Sequence, residues 1–169
     1  MKDVAQVATG GREVPMKTIF LCFVLSIGAQ FAFGIDNLKL NTKLDYTSDS
    51  HDGPLITGDD TGSGFAAGKP NYVIIYGEGC FNSKRQAQRT VDLYEKYRGQ
   101  VHFVVVDLDV KRSPEQEKLV KQYYQGYIPH VVVMDGNAKA IYNSSGEVES
   151  KKIEMLFKQA LDASAPGTK

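Results

Sequence analysis

The sequence predicts an α/β fold, a three-layer α/β/α sandwich around a central mixed β-sheet. Two observations support this class. Short apolar runs typical of buried strands alternate with amphipathic segments of helical period, and the last part of the chain carries a hairpin signal. Since right-handed crossovers bring parallel strands together, the early strands form the parallel part of the sheet and the hairpin adds antiparallel strands.

The first strand and helix of this series follow Pro70. Residues 72–76 are apolar, β-branched or aromatic, which is typical of a strand covered on both faces, and the run ends at Gly77. An amphipathic helix is predicted over 83–97, because its apolar residues recur at helical spacing. A second buried strand is predicted at 101–106.

The second helix has a clear start. Ser113 is a capping residue followed by proline and, three positions on, by Gln116, which predicts a capping box. A strand at 131–134 then turns through Asp135-Gly136-Asn137 into a partner strand at 138–142. Ser150 is predicted to cap a last helix with apolar positions Ile153, Leu156, Phe157, Ala160 and Leu161.

The chain before this domain divides into two parts. Residues 35–68 form an extension in which 38–46 alternate between apolar and polar side chains and predict one half-buried strand. The rest of the extension is rich in Gly, Ser, Asp and Thr and predicts a flexible loop. We assign the remainder, 69–169, to the domain itself.

Residues 1–34 have the pattern of a secretory signal peptide. An apolar run at 19–29 follows Lys17 and precedes the small residues of Ala32-Phe33-Gly34. The run is too short to span a bilayer comfortably. We expect a periplasmic or secreted protein, with Met16 as an alternative start. The alternative is that this segment is not cleaved and stays as a membrane anchor. An uncleaved segment is the only way in which we expect the protein to be attached to a membrane.

The cysteine and charge content of the sequence limit which functions and partners are expected. Cleavage after Gly34 would remove Cys22 and leave Cys80 as the only cysteine, which is unusual in an oxidising compartment unless the thiol is buried or used. Twenty Lys and Arg balance twenty Asp and Glu, with no block of like charge. No nucleic-acid partner is therefore expected.

The segments around Cys80 resemble the thioredoxin family. Lys69-Pro70 precedes the first strand, Cys80 begins a long helix, and Gly126-Tyr127-Ile128-Pro129 precedes the third strand. The resemblance extends to about residue 163. It implies a cis peptide bond before Pro129, a reactive Cys80 packed against that proline, and an Ile128 backbone open to an extended peptide.

The motif departs from the family at three points. The family's Trp-Cys-Gly-Pro-Cys string appears as Gly79-Cys80-Phe81-Asn82-Ser83, so a serine replaces the resolving cysteine. The family's buried aspartate aligns with Ile74 and its neighbouring lysine with Val105. Without a resolving thiol, a buried carboxylate would only cost desolvation energy. The site is a monothiol variant that cannot form an internal disulfide.

Cys80 is the candidate nucleophile. At a helix N-terminus, unpaired N–H groups and the helix dipole favour the thiolate. We expect Ser83 to donate a hydrogen bond to the sulfur and Pro129 to act as the substrate platform. The residues expected to line a substrate groove are Gly79, Phe81 and Ile128.

Three further side chains are candidates to act on the thiolate. The His130 imidazole could pair with it, although alternation along a strand equally allows the ring to face a helix or solvent. Lys84 and Arg85 are expected on an exposed turn, where their charge is screened. Because Cys80 and His130 provide too few ligands for a metal, neither a metal nor another cofactor is expected.

Two functions are compatible with these residues. In the first, Cys80 exchanges disulfides or reduces mixed disulfides, with a thiol- or disulfide-bearing protein or a small thiol as partner and release by an external thiol. In the second, the domain is a non-catalytic peptide-binding module and Cys80 is vestigial. An iron–sulfur carrier of the monothiol glutaredoxin type would need a Gly-Phe-Ser string that is missing here. The reactivity of the thiol distinguishes the first two.

Overall fold

The computed structural model describes residues 37–58, 61 and 63–164. The signal-peptide prediction for 1–34 lies outside the described residues. In chain order the elements are β1 (Lys39–Leu40), β2 (Ile56–Thr57), β3 (Asn71–Tyr76), α1 (Phe81–Tyr97), β4 (His102–Asp107), α2 (Pro114–Tyr123), β5 (His130–Met134), β6 (Ala140–Ser145) and α3 (Ser150–Ser164). Among the described residues, no helix is long and apolar enough to cross a membrane.

A mixed four-stranded sheet lies at the centre, with strand order β4-β3-β5-β6. β3 pairs in parallel with β4 and antiparallel with β5, and β5 and β6 form the antiparallel hairpin. α1 connects the parallel strands β3 and β4, as expected of a strand–helix–strand crossover. The predicted fold class is confirmed.

Alternate side chains of the central strand β3 enter cores on opposite faces of the sheet. Tyr72, Ile74 and Tyr76 belong to the larger core, while Val73 and Ile75 belong to the smaller one. All five are completely buried, and each buried aliphatic side chain contributes roughly 1.5–3 kcal/mol of transfer free energy. The larger core also contains the tilted and edge-on aromatic pairs among Tyr72, Tyr94, Tyr97, Phe103 and Phe157.

The half-buried strand predicted at 38–46 is wrong beyond its first residues. β1 ends at Leu40, because Asn41 starts a turn in which its side-chain oxygen accepts the Lys43 N–H at 3.2 Å. Asp45 then accepts both the N–H and the hydroxyl of Thr47, at 2.8 and 2.6 Å. These local side-chain hydrogen bonds compete with an extended backbone.

The extension also differs from the predicted single strand and flexible loop. β2 pairs antiparallel with β1, and the two form a separate two-stranded sheet. Leu38, Leu55 and Ile56 are at most 2% exposed and belong to the larger core of the domain. The extension therefore contributes to the hydrophobic core.

Other helix and strand boundaries differ from the predicted ones by a few residues. α1 begins at Phe81, two residues before the prediction, and Ser150 is the first residue of α3 where a cap was expected. β6 begins at Ala140 and not at Ala138, because Ala138 has φ of 60° and the Asp135 carboxylate binds the Lys139 N–H at 3.0 Å. The turn thus occupies more of the chain than its Asp-Gly signal indicates.

Candidate active site

Cys80 lies between β3 and α1, beyond the carboxyl end of β3 and directly before the first residue of the helix. It is the N-cap residue, with φ −111° and ψ 118°, and its carbonyl accepts the Lys84 N–H at 3.0 Å. The Cys80 side chain makes no capping hydrogen bond to the first turn of the helix. Cys80 is a free, partly exposed thiol at the positive end of a 17-residue helix.

The thiol opens into a surface cavity of about 330 Å³. Gly79, Cys80 and Ile128 line it together, so the structure brings these three predicted site residues to one place. The Ile128–Pro129 peptide bond is cis. Gly77 allows Ile128 to approach, because a Cβ on Gly77 would lie 2.7 Å from Ile128 Cδ1.

Phe81, the third residue predicted to line the groove, is not part of the cavity lining and is 37% exposed. The Arg85 guanidinium lies over its ring, 5.1 Å from the centroid, and also pairs with Glu147. Tyr127, just before Ile128, is 73% exposed. Two exposed aromatic side chains are thus next in sequence to residues that line the cavity.

Ser83 lies on the buried side of the first turn of α1 and is completely inaccessible. Its Oγ makes no hydrogen bond within the described residues, so the bond that the sequence predicted to the Cys80 sulfur is not formed. A buried hydroxyl without a partner costs about 1–3 kcal/mol of stability.

His130 is hydrogen-bonded to side chains of β6, which favours the alternative in which its ring faces the helix layer over pairing with the Cys80 thiolate. Its ring is fully buried, with Nδ1 3.0 Å from Ser145 Oγ and Nε2 2.6 Å from Asn143 Oδ1. Tyr124 packs edge-on against it at 6.0 Å. Neighbouring residue Val132 points to the same smaller core, so strand alternation places His130 at the α2 interface.

Lys84 is buried, whereas the sequence placed it on an exposed turn. It is 1% exposed, and its Nζ donates to the Asp45 carbonyl at 2.6 Å and to Ser50 Oγ at 2.9 Å. Both acceptors belong to the extension. The ammonium group therefore holds the extension to the first turn of α1.

Sequence reasoning missed an acidic cluster beside the cysteine. Glu78 follows β3, Asp107 is the last residue of β4 and Asp109 follows it. The Asp109 carboxylate accepts the Glu78 N–H at 2.7 Å. Burial, followed by the Asp107 charge, raises the pKa of Glu78. Burial also raises the pKa of Asp107, whose Oδ2 has no hydrogen-bond partner within the described residues.

His51 completes this cluster from the extension. Its Nδ1 lies 3.4 Å from Glu78 and its Nε2 lies 3.6 Å from Asp109. These three side chains could supply a metal ion with three ligand atoms, all within 4.8 Å of one another. The two aspartates were detectable as polar residues at the end of a buried strand, but no sequence pattern links His51 to them.

The chain is similar to known proteins in part of its sequence. No family model matches the chain. The thiol:disulfide interchange protein TxlA homolog of Synechocystis is 31% identical over 88 residues, which are 52% of this chain and 47% of that protein. The chain thus spans about half the length of this curated relative.

Solved structures of thioredoxin-like proteins also align with it. For Fasciola hepatica thioredoxin the identity is 19%, the coverage 56% of this chain and 83% of that chain, and the TM-score 0.45. An uncharacterised thioredoxin-like protein from Clostridium perfringens is 15% identical. The alignment covers 56% of this chain and 73% of that chain, with a TM-score of 0.48. Chloroplastic thioredoxin z is 20% identical. The alignment covers 56% of this chain and 80% of that chain, with a TM-score of 0.46.

The geometry of the site agrees with the sequence resemblance. The mixed sheet has β3 at its centre, Cys80 at the N-terminus of the following helix and a proline directly before β5. These are the features on which the sequence resemblance rests. The domain therefore has a thioredoxin-like α/β fold, and over 88 residues it is similar to the thiol:disulfide interchange protein of Synechocystis.

Proposed function

We propose that this domain performs thiol–disulfide exchange with Cys80 as its nucleophile, and that an external thiol releases the product. The observation that carries the proposal is the position of Cys80, a partly exposed free thiol at the N-cap of α1 that opens into a cavity. The name of the Synechocystis relative, a thiol:disulfide interchange protein, supports the same chemistry.

The reaction takes two exchange steps. The Cys80 thiolate attacks one sulfur of a substrate disulfide, forms a mixed disulfide, and expels the other sulfur as a thiolate that takes a proton from solvent. An external thiolate then attacks the mixed disulfide, takes the substrate sulfur and regenerates the Cys80 thiolate. The Ser83 hydroxyl cannot carry out this second attack, although it can donate a hydrogen bond.

The partner is a thiol- or disulfide-bearing protein or a small thiol. An extended peptide at the cavity would meet the apolar side chain of Ile128, with the exposed aromatic side chains of Phe81 and Tyr127 nearby in the sequence. Such a groove favours a peptide with apolar residues beside its cysteine. The proposed setting is the extracytoplasmic compartment predicted by the N-terminal segment.

Loading the protein with oxidised glutathione tests this proposal. The experiment uses a Cys22→Ser background, so that Cys80 is the only cysteine. Intact-protein mass spectrometry should show one glutathione adduct that persists until dithiothreitol is added. The Ser83→Cys variant should expel the glutathione and close an internal disulfide, because positions 80 and 83 lie one helical turn apart, within bridging distance. The control, Cys80→Ser, should form no adduct.

Two outcomes would contradict the proposal. Absence of an adduct on the folded wild-type background would mean that the thiol does not react, and the peptide-binding module would become the better description. Persistence of the adduct in Ser83→Cys would mean that the first turn of α1 lacks the geometry needed for exchange.

A further inference from the structure

We propose that His51, Glu78 and Asp109 form a binding site for a divalent first-row transition-metal ion, with Zn²⁺ as its probe. Each residue supplies one ligand atom, and the three atoms lie within 4.8 Å of one another. The site does not depend on the proposed exchange reaction, which uses Cys80. It departs from the sequence-based expectation of no metal, which considered only Cys80 and His130 as ligands.

Two glycines make room for the site on either side of Glu78. A Cβ on Gly79 would lie 2.7 Å from His51 Cδ2, so a side chain at this position would displace the imidazole. A Cβ on Gly77 would lie 3.4 Å from Asp109 Oδ2. The same Oδ2 accepts the Glu78 N–H at 2.7 Å, while Oδ1 faces the histidine. The turn after β3 thus lets both neighbouring ligands approach Glu78.

The extension holds the backbone of His51 over this turn. Ser50 Oγ accepts a hydrogen bond from the buried ammonium group of Lys84 at 2.9 Å. Asp49 Oδ1 accepts the Phe81 N–H at 2.8 Å. The His51 side chain itself is 60% exposed, so its ring can rotate while the backbone beside it stays fixed.

The separations between the ligand atoms suit one metal ion. His51 Nδ1 lies 3.4 Å from Glu78 Oε2, and His51 Nε2 lies 3.6 Å from Asp109 Oδ1. Two ligands at about 2.1 Å from a tetrahedral zinc ion lie roughly 3.4 Å apart. Rotation of the exposed ring is therefore enough to direct one nitrogen at an ion between the two carboxylates.

Buried negative charge gives this place a need for a cation. The Glu78 side chain is 8% exposed, and the Asp109 side chain is 34% exposed. A third carboxyl group, that of Asp107, interacts directly with Glu78, is 6% exposed, and its Oδ2 has no hydrogen-bond partner within the described residues. The His51 imidazole faces Glu78 and Asp109 but is charged only when it is protonated. Because buried charges are normally paired or coordinated to metals, a bound divalent ion would neutralise the cluster.

The donor atoms select the class of ion. One imidazole nitrogen with two carboxylate oxygens suits zinc and other first-row transition metals, whereas Mg²⁺ and Ca²⁺ take oxygen ligands. Three protein ligands leave a further coordination position open for water or another small ligand. Since His51, Asp109 and Cys80 line the same cavity, the ion would lie beside the thiol.

Isothermal titration calorimetry with zinc chloride tests the proposal. The untagged full chain carries Cys22→Ser and Cys80→Ser and is freed of metal with EDTA and dialysed, so that neither a thiol nor an affinity tag binds zinc. We expect one saturable site per chain. His51→Gln and Asp109→Asn should each weaken binding by about tenfold or more, at least the cost of losing an outer-shell partner. Asp52→Asn is the matched control, because Asp52 is exposed and lies outside the cluster, and it should change the affinity much less.

Magnesium chloride, titrated in the same way, should bind more weakly than zinc. Tighter binding of Mg²⁺ would show that the imidazole is not a ligand and would overturn the proposal. No saturable zinc site, or equal zinc affinities in His51→Gln, Asp109→Asn and the control, would also overturn it. None of these results bears on thiol exchange, which the glutathione adduct on Cys80 reports separately.

Thermal unfolding gives a second measurement that does not rely on heats of binding. Zinc should raise the unfolding temperature of the cysteine-free protein, because it binds the folded state, and should raise that of Asp109→Asn less. Circular dichroism of each variant confirms that folded proteins are compared. Glu78→Gln removes the third ligand and takes the place of a variant that does not fold. An equal zinc-dependent rise in all variants would contradict the site.

Discussion

Ile74 and Val105 lie directly opposite each other on β3 and β4, and both are buried. The sequence resemblance aligns these positions with the family's buried aspartate and lysine. In this protein the acidic groups lie further along the same two strands, as Glu78 and Asp107. The polar pair inside the sheet has thus been replaced by apolar packing, and carboxyl groups are concentrated at the edge that carries Cys80.

Asp107→Asn is expected to make the protein more stable at neutral pH. Burial raises the pKa of Asp107, so the folded state binds this proton more tightly than the unfolded state does. The corresponding stability is present below the unfolded pKa, about 4, and is lost as pH rises through the raised folded pKa. Asparagine keeps the acceptor for the Asp109 N–H, which Asp107 Oδ1 binds at 2.9 Å, but removes the charge.

Urea unfolding at pH 4 and pH 7 measures this effect. We expect Asp107→Asn to be more stable than wild type at pH 7, where the wild-type carboxyl is charged, and to differ less from it at pH 4. Asp92→Asn, on the exposed side of α1, is the control. An equal difference from wild type at both pH values would exclude titration of Asp107 as the cause.

At the scale of elements, α1 buries an unusual number of polar side chains. Gln86 donates through Nε2 to the Tyr72 hydroxyl at 3.1 Å and accepts the Val148 N–H at 2.8 Å. Thr90 Oγ1 lies 2.9 Å from the same tyrosine oxygen. This network joins α1 to β3 and to the segment before α3. Burial raises the pKa of Tyr72 to about 12, although the hydrogen bonds to Thr90 and Gln86 act in the opposite direction.

Gln86→Ala is expected to destabilise the fold by about 2 kcal/mol, because it leaves a buried N–H and a buried hydroxyl with fewer partners. Gln88→Ala is the matched control, since Gln88 lies on the exposed face of the same helix. Chemical denaturation of both variants gives the comparison. Equal free energies of unfolding would show that the network contributes nothing beyond helix propensity.

At the scale of the whole molecule, the extension and the domain share one core. Leu55 is fully buried, and its carbonyl accepts the Tyr46 hydroxyl at 2.6 Å. The next residue, Ile56, donates its N–H to the hydroxyl of Tyr76 on the central strand, at 3.4 Å. A segment with these contacts should unfold together with the sheet.

Leu55→Ala is therefore expected to cost about 2–5 kcal/mol, the range for removing a buried leucine side chain from a packed core. Leu93→Ala, at a fully buried position in α1, should cost a similar amount. Val110→Ala, at a residue that is 46% exposed, should change stability little. Thermal unfolding of the three variants tests this, and a wild-type transition in Leu55→Ala would show that the extension is independent of the core.

Most of the fold could be predicted because its signals are local. The capping box at Ser113 forms as predicted, with Gln116 N–H bound to the serine oxygen at 3.2 Å. The apolar strand at 72–76 and the helix after Cys80 are also present, with boundaries within two residues. Helix capping and side-chain periodicity depend on residues at most a few positions apart, and the sequence contains those directly.

By itself the sequence determined the α/β architecture and the monothiol motif from Cys80 to Ser83. Only the tertiary structure decided the surroundings of that motif: Lys84 is buried under the extension, His130 faces away, and His51 lies over Gly79. The reason is that the protonation and exposure of a side chain depend on partners distant in the chain. His51 meets Asp109 across 58 positions, and no periodic pattern in the sequence specifies such a contact.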